Sequence, residues 1–413
     1  MDVTTAQTVV IIGGGQAGAQ AIASLRQWGF EGDICLICEE TSLPYQRPPL
    51  SKAYFKGEME EERLYFKPAD WYESQRVDVL TGIRAEKIDR ARRHVALSNG
   101  GEMRYDYLIV ATGSRPRPLP VSGADLKNVF ELRGLDDVKA MVPEATVGKH
   151  IVIVGAGYIG LEAAAVASQL GLEVTVLEME SRVLARVTSP VMSEFYTKLH
   201  KSHGVDIRTA SRLEKLSGTN GSVSMAHLSD GTEIPCDLVL VGIGILPNQE
   251  LAEEAGIACG NGILTDRDAQ TNDSRVFAAG DCAARPLVHY GRKGRLESVH
   301  NAIEQGKLAA ASILGRPRPP EDTPWFWSDQ YDTKLQIAGL SEGYDNVLVR
   351  GDPDSKSFAA FYYKNGRLIA VDAVNAAPEF LVAKKLIMSG TSIAPAELSD
   401  TSVTMKELAA KAA

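Results

Sequence analysis

The most regular hydrophobic pattern in the chain is a five-residue apolar run that ends abruptly in glycine, and it occurs twice. TVVII (8–12) leads into GGGQAG and then an Ala-rich stretch, and HIVIV (150–154) leads into GAGYIG and a second such stretch. A β-branched run without polar interruption reads as a strand buried on both faces, and the Ala-rich stretch after it has helical spacing. Each copy continues through a Gly turn into a second strand, DICLI (33–37) or EVTVL (173–177), that closes on acidic residues. The pattern predicts two βαβ units about 140 residues apart. A weaker echo pairs YLIVATGSRPRP (107–118) with DLVLVGIGILPN (237–248), in each a buried strand, then Gly, then Pro. These segments read as the exits from the two units.

If so, the second unit is an insertion and the first resumes near VFAAGDCA (276–283). Beyond Pro324 the texture changes to alternating and aromatic residues, WFWSDQYDTKLQIAGL and SFAAFYYKNGRLIAVDAVN, suited to an antiparallel sheet, followed by a polar helical tail. The prolines at 317, 319, 320 and 324 mark the linker. The expected division is a discontinuous first domain over 1–113 and 247–322, an inserted domain over 114–246 and a smaller domain over 323–413. The fold class is α/β, with two Rossmann-like dinucleotide-binding domains and a smaller α+β C-terminal domain.

Composition narrows the function. With 413 residues the chain is long enough for two or three domains, and 44% hydrophobic against 23% charged residues excludes a disordered or fibrous chain. The net charge of -9 disfavours nucleic acid as a partner. The N-terminus lacks a basic flank and no run of about 18 apolar residues follows, so neither membrane insertion nor secretion is expected. Five cysteines in a chain this long do not make a disulfide framework, and a cytoplasmic location fits. Cys35 and Cys38 spell C-x-x-C, but inside a strand residues three apart face opposite sides. The segment after the second strand, YQRPPLSKAY (45–54), where a disulfide reductase would carry its redox thiol, holds no cysteine. Metal-ligand spacings and hydrolase motifs are likewise not found.

The glycines carry the first candidate chemistry. Gly13, Gly15 and Gly18 form G-x-G-x-x-G between strand and helix, and Glu39 lies 21 residues beyond Gly18, placed to accept from ribose hydroxyls. Gly155, Gly157 and Gly160 repeat the device, with Glu178 18 residues beyond Gly160 and Gly244 in the second exit. Two such sites imply two dinucleotides, most simply a bound flavin and a diffusing nicotinamide. Glu178 would repel a 2′-phosphate and so favour NADH, whereas Arg182 and Arg186 close by could bind the coenzyme or be plain surface cations.

Longer segments are more specific. YQRPPLSKAY (45–54), ATGSRPRPLP (111–120), GYIGLEAAA (157–165), AAGDCA (278–283), ESVHNAIEQG (297–306) and PWFWSDQY (324–331), in unbroken order over nearly the whole chain, resemble the FAD- and NADH-dependent ferredoxin reductases of bacterial haem monooxygenase and aromatic ring dioxygenase systems. The resemblance implies a glutathione reductase-like FAD/NAD fold with tight, non-covalent FAD and NADH as a diffusing substrate. It also implies FAD contacts at Ala17, Glu39, Lys52, Ala85, Arg133, Asp281 and Val299, with Trp327 beside the isoalloxazine. Trp327 could instead be a core aromatic. His300 departs from the proline of a family member's ESVPN. Independently of the resemblance, Pro48 and Pro49 hold φ fixed and should deliver Lys52 as an aimed cation from an extended segment into a helix start. A buried lysine needs a partner, and Glu162, two residues past Gly160, is the candidate. Lys52 and Glu162 are the expected catalytic residues.

The expected function is ferredoxin–NAD+ reductase, passing single electrons to a [2Fe-2S] ferredoxin that serves an oxygenase. Alternatives are a rubredoxin reductase, an electron-transfer subunit of a nitrite-reducing system, or a non-enzymatic NADH redox sensor. Between Arg285 and Arg318 seven cations stand against two acids, which could form a docking face for an acidic ferredoxin or be only a solvated surface. The sequence gives no reading of the oligomeric state.

Overall fold

The computed structural model describes residues 7–412, which divide into two compact units. The first comprises the chain up to residue 46 with 61–115 and 245–321, and the second comprises 47–60, 116–244 and 322 onward. Residues 47–60, which chain order assigns to the first domain, therefore cluster with the second unit.

The first unit is built on a parallel five-stranded sheet in the order Val276–Ala278, Tyr107–Val110, Thr8–Ile12, Asp33–Ile37, Val77–Leu80. Both faces are covered, as the continuous apolar strands require. Val9, Ile11, Ile34, Leu36 and Ile109 join one core with the helices Gln16–Gln27 and Val299–Ile313, while Val10, Ile12, Cys35, Ile37 and Val110 join the other. Cys38 belongs to the first core and Cys35 to the second, and both thiols are free. Burial pushes each up to about 12, so neither is a nucleophile near neutral pH.

The second unit repeats the sheet: Asp206–Arg208, Glu173–Leu177, His150–Val154, Leu238–Val241, Val129–Glu131, again all parallel. The central three strands match the first unit element for element, but the fifth strand comes from before the repeat here and from long after it there. The same unit contains an antiparallel sheet ordered Trp325–Gln330, Thr333–Gly339, Arg367–Val374, Ser357–Lys364, Asn346–Asp352, packed against the helix Ala377–Ser389. Buried Arg350 fastens the C-terminal tail to this sheet by donating to the carbonyls of Leu398, Asp400 and Val403.

Candidate functional site

Each glycine turn folds for the same three reasons. The leading glycines, Gly13 and Gly155, have φ of +114° and +105°, and a Cβ there would lie 2.2 Å from the Ala111 carbonyl oxygen or 2.4 Å from that of Gly242. At the third glycines, Gly18 and Gly160, a Cβ would lie 2.2 and 2.1 Å from the carbonyl oxygens of Gly13 and Gly155, so the helix can pack on its own turn only without a side chain. The middle glycines differ: at Gly15 and Gly157 a Cβ would meet nothing within 4 Å. These two cap the helices Gln16–Gln27 and Tyr158–Gln169, whose first turns have neither an acid nor a side-chain cap. Uncapped N–H groups at a positive helix end, beside open space, fit a pyrophosphate, so the residues present suit a dinucleotide at both turns.

Around the first turn, Ala17 is buried and Glu39 stays 72% exposed, with Arg84 at 3.9 Å. Asp281 is held by Ser114, whose hydroxyl donates to its carboxylate at 2.8 Å, and by Arg295, which donates to its carbonyl. Val299 opens the helix Val299–Ile313, capped by Ser298 accepting from the Asn301 amide, and His300 is accommodated there as a buried residue. Ala85 starts the strand Ala85–Asp89.

Around the second turn, both oxygens of Glu178 are engaged by backbone, from Ala156 N–H at 2.8 Å and Glu180 N–H at 2.9 Å. The Arg182 guanidinium donates to Ser193 Oγ and the Ala185 carbonyl, which ties its loop to the helix Pro190–Ser202. Arg186 is exposed and approaches Gly244, whose φ is +104°.

The second unit also assembles the charged pair. Lys52 Nζ lies 2.5 Å from Glu162 Oε2, and Glu162 is 4% exposed on a helix face of Leu and Ala. Ser51 donates to the same oxygen at 2.6 Å, and Ser328 donates to Oε1 at 2.6 Å. The prolines deliver Lys52 differently from expectation. Pro48–Ser51 is a 3-10 turn and Lys52 stands at its C-terminal end, because two fixed φ values suit a helical turn as well as an extended segment. Trp327 is half-buried with its ring 5.6 Å from that of Trp325. Arg133 precedes the helix Leu135–Met141, its N–H bound by Asp137 and its carbonyl by Arg47. Sequence reasoning missed Ser328, although strand alternation in WFWSDQ places it on the face opposite Trp325 and Trp327.

Several of the cations between Arg285 and Arg318 are engaged, while Arg292 and Lys293 stand exposed on the strand Arg292–Gly294. The Arg295 side chain is 8% exposed and paired with Glu297, Arg318 is paired with Asp268, Lys307 with Glu304, and Arg316 lies over Trp28. Arg285 is half-buried, and that burial lowers its pKa.

Residues 7–306 match the pyridine nucleotide-disulphide oxidoreductase family and residues 325–409 the reductase C-terminal family, and the chain belongs to the first of these with the second appended. Among individual relatives, it is 44% identical to putidaredoxin reductase of Pseudomonas putida over 98% of this chain and 97% of that one. The reductase in the covalent putidaredoxin reductase–putidaredoxin crystal structure superposes with a TM-score of 0.96 at 42% identity, covering 98% and 99% of the two chains. The ferredoxin reductase of the CYP199A2 system from Rhodopseudomonas palustris gives a TM-score of 0.94 at 41% identity over 98% of this chain and all of that one.

Proposed function

We propose that the chain is a ferredoxin–NAD+ reductase with FAD as resident cofactor, oxidising one NADH to NAD+ and a proton while reducing two one-electron [2Fe-2S] ferredoxins that serve an oxygenase. When bound, FAD supplies the two-electron acceptor and one-electron donor that this stoichiometry needs. The observation that carries the reading is the pair of anion-ready glycine turns in a chain similar along its whole length to a reductase crystallised with its redox partner, putidaredoxin. In this reading Gly13, Gly15, Ala17, Gly18, Glu39, Ala85, Arg133, Asp281 and Val299 hold FAD, and Trp327 would stand beside its isoalloxazine. Gly155, Gly157, Gly160, Glu178 and Gly244 hold NADH. Lys52 supplies a fixed positive charge where reduction adds negative charge, and Glu162 keeps that lysine aimed. No general acid or base with a tuned pKa is required, since positioning does most of the work. The proposed domain division is the one read from the sequence except for residues 47–60, which cluster with the second unit, and the proposed location is cytoplasmic. No helix among the described residues is long and apolar enough to cross a membrane.

Purified protein should be yellow and, with NADH and a [2Fe-2S] ferredoxin, should reduce cytochrome c only when the ferredoxin is present. A colourless protein that takes up no FAD overturns the reading. A yellow protein that NADH bleaches, but that passes no electrons to any such ferredoxin, leaves a rubredoxin partner or a sensor in its place.

A further inference from the structure

Glu162 is not only paired with Lys52; it ends a line of buried polar groups. Ser328 Oγ, which donates to Glu162 Oε1, accepts from Gln330 Nε2 at 3.2 Å. The Gln330 amide oxygen lies 2.8 Å from His200 Nε2, and His200 Nδ1 lies 3.2 Å from the Tyr331 hydroxyl. Ser328, Gln330 and His200 are each no more than 1% exposed. The line crosses from the helix Tyr158–Gln169 through the strand Trp325–Gln330 to the helix Pro190–Ser202.

Geometry explains the meeting of helix and strand. Tyr158 and Glu162 are one helical turn apart, about 6 Å of rise, while Phe326 and Ser328 are two strand positions apart, about 6.6 Å. The spacings match, so Tyr158 packs on Phe326 with ring centroids 5.1 Å apart while Glu162 meets Ser328. Gln330, two positions further along the same face, then reaches His200.

The donors all point one way. An amide oxygen can only accept, so His200 carries its proton on Nε2, and its Nδ1 accepts from Tyr331. Burial pushes His200 down to about 4, which keeps the ring neutral and this tautomer in place. Tyr331 is itself unusual: it sits at φ +56° in the turn between the strands Trp325–Gln330 and Thr333–Gly339, where Asn or Gly would be unstrained. Its ring stacks on His203 at 3.7 Å. A strained bulky residue held at the end of a polar line suggests a role beyond making the turn.

We propose that Ser328, Gln330, His200 and Tyr331 form a relay of hydrogen-bond dipoles directed at Glu162, and that Ser328 and Gln330 are positioning residues that hold its carboxylate turned toward Lys52. The relay is not a proton path, because a proton could cross Gln330 only through a high-energy tautomer of its amide. Its function is electrostatic, stabilising a buried anion that one lysine and one serine would leave half-solvated by protein.

This rests on the reading of the chain as a flavin-dependent NADH reductase, so the test includes a readout that needs neither flavin nor turnover. The carboxylate stretching bands of Glu162 are followed by infrared difference spectroscopy and assigned by their loss in Glu162→Gln. Ser328→Ala, which removes the donor on Oε1, should shift these bands most, Gln330→Met less and His200→Phe least, while Ser328→Thr restores the wild-type position. In the holoprotein the flavin midpoint potential should move in the same order. If Ser328→Ala fails to fold, Gln330→Met decides. Variants that lose thermal stability while the bands and the potential stay as in wild type overturn the relay. Wild-type protein that binds no FAD overturns the functional reading instead, and the infrared result still stands.

Discussion

The two glycine turns are built to one plan and surrounded differently. Ala17 of the first corresponds to Ile159 of the second. Ala17 is 5% exposed and sealed by the helix Val299–Ile313, where a Cβ on Gly306 would lie 2.6 Å from the Ala17 carbonyl oxygen. Ile159 is 45% exposed. The acids differ in the opposite sense: Glu39 is exposed, whereas Glu178 is held by two backbone N–H groups. A walled turn suits a ligand that enters once and stays. An open turn with its carboxylate already set suits one that binds in every cycle, because pre-ordering lowers the cost of each binding event. The helices differ as well, since Gln20, bonded to Ser24, stands where the second copy has Glu162.

The largest expected effect comes from opening the wall. Gly306→Val would drive two methyl groups against the backbone of Ala17. Overpacking of this kind should destabilise the first unit by about 3 kcal/mol, and the flavin should be lost on purification. Ile159→Ala, at the corresponding position of the open turn, should leave stability within about 0.5 kcal/mol and flavin content unchanged. Flavin absorbance per chain and urea unfolding measure both, and a Gly306→Val protein with full flavin would show that the helix does not seal the site.

The parts of this comparison that depend on covalent order were legible in the sequence. The duplicated strand, turn, helix and acid could be read because the period and the glycines are local, and the parallel sheets followed. Pairing Lys52 with Glu162 was also within reach, since a buried lysine needs an acid. What the sequence hid was lateral. Ser328, Gln330 and His200 come from distant segments and look like ordinary polar residues until strand and helix are set side by side. Of the cations from Arg285 on, Arg295, Lys307 and Arg318 have separate acidic partners, two of them within three residues and one, Asp268, fifty residues away. Arg182, read as a coenzyme contact, is occupied by Ser193 and Ala185 once the loop closes.

The second unit also carries buried titrating groups whose effects oppose each other. Burial pushes Asp372 up to about 6, while the hydroxyls of Thr188 and Tyr362 donate to its carboxylate. As pH falls from 6 toward 4 the folded protein binds this proton before the unfolded chain does, so Asp372 adds stability on acidification. His200, pushed down to about 4, does the reverse: below 6.5 the unfolded chain takes up a proton that the folded ring refuses, and stability is lost. At about 1.4 kcal/mol per pH unit each effect reaches roughly 3 kcal/mol, and together they nearly cancel. Asp372→Asn should therefore make stability fall steeply between pH 6.5 and 4, and His200→Gln should make it rise, in urea titrations followed by tryptophan fluorescence. Parallel curves for both variants and wild type would remove the two residues from the pH response.

The smallest effect tests whether the preset acid of the open turn chooses its coenzyme. A 2′-phosphate would approach Glu178, whose carboxylate cannot swing away without giving up the N–H groups of Ala156 and Glu180. Arg182 offers no compensation while its guanidinium is bound to Ser193 and Ala185, whereas exposed Arg186, which approaches Gly244, can supply it. A penalty of about 1.4 kcal/mol corresponds to a tenfold preference, so kcat/KM should favour NADH over NADPH by at least that factor. Glu178→Gln keeps one backbone acceptor and removes the charge, and should bring the two coenzymes within about threefold, a residue of roughly 0.65 kcal/mol. Arg186→Ala in the same background should then weaken NADPH alone. If Glu178→Gln leaves the preference intact, discrimination lies in the shape of the open turn rather than in its charge, and the preset carboxylate serves only to fold the loop.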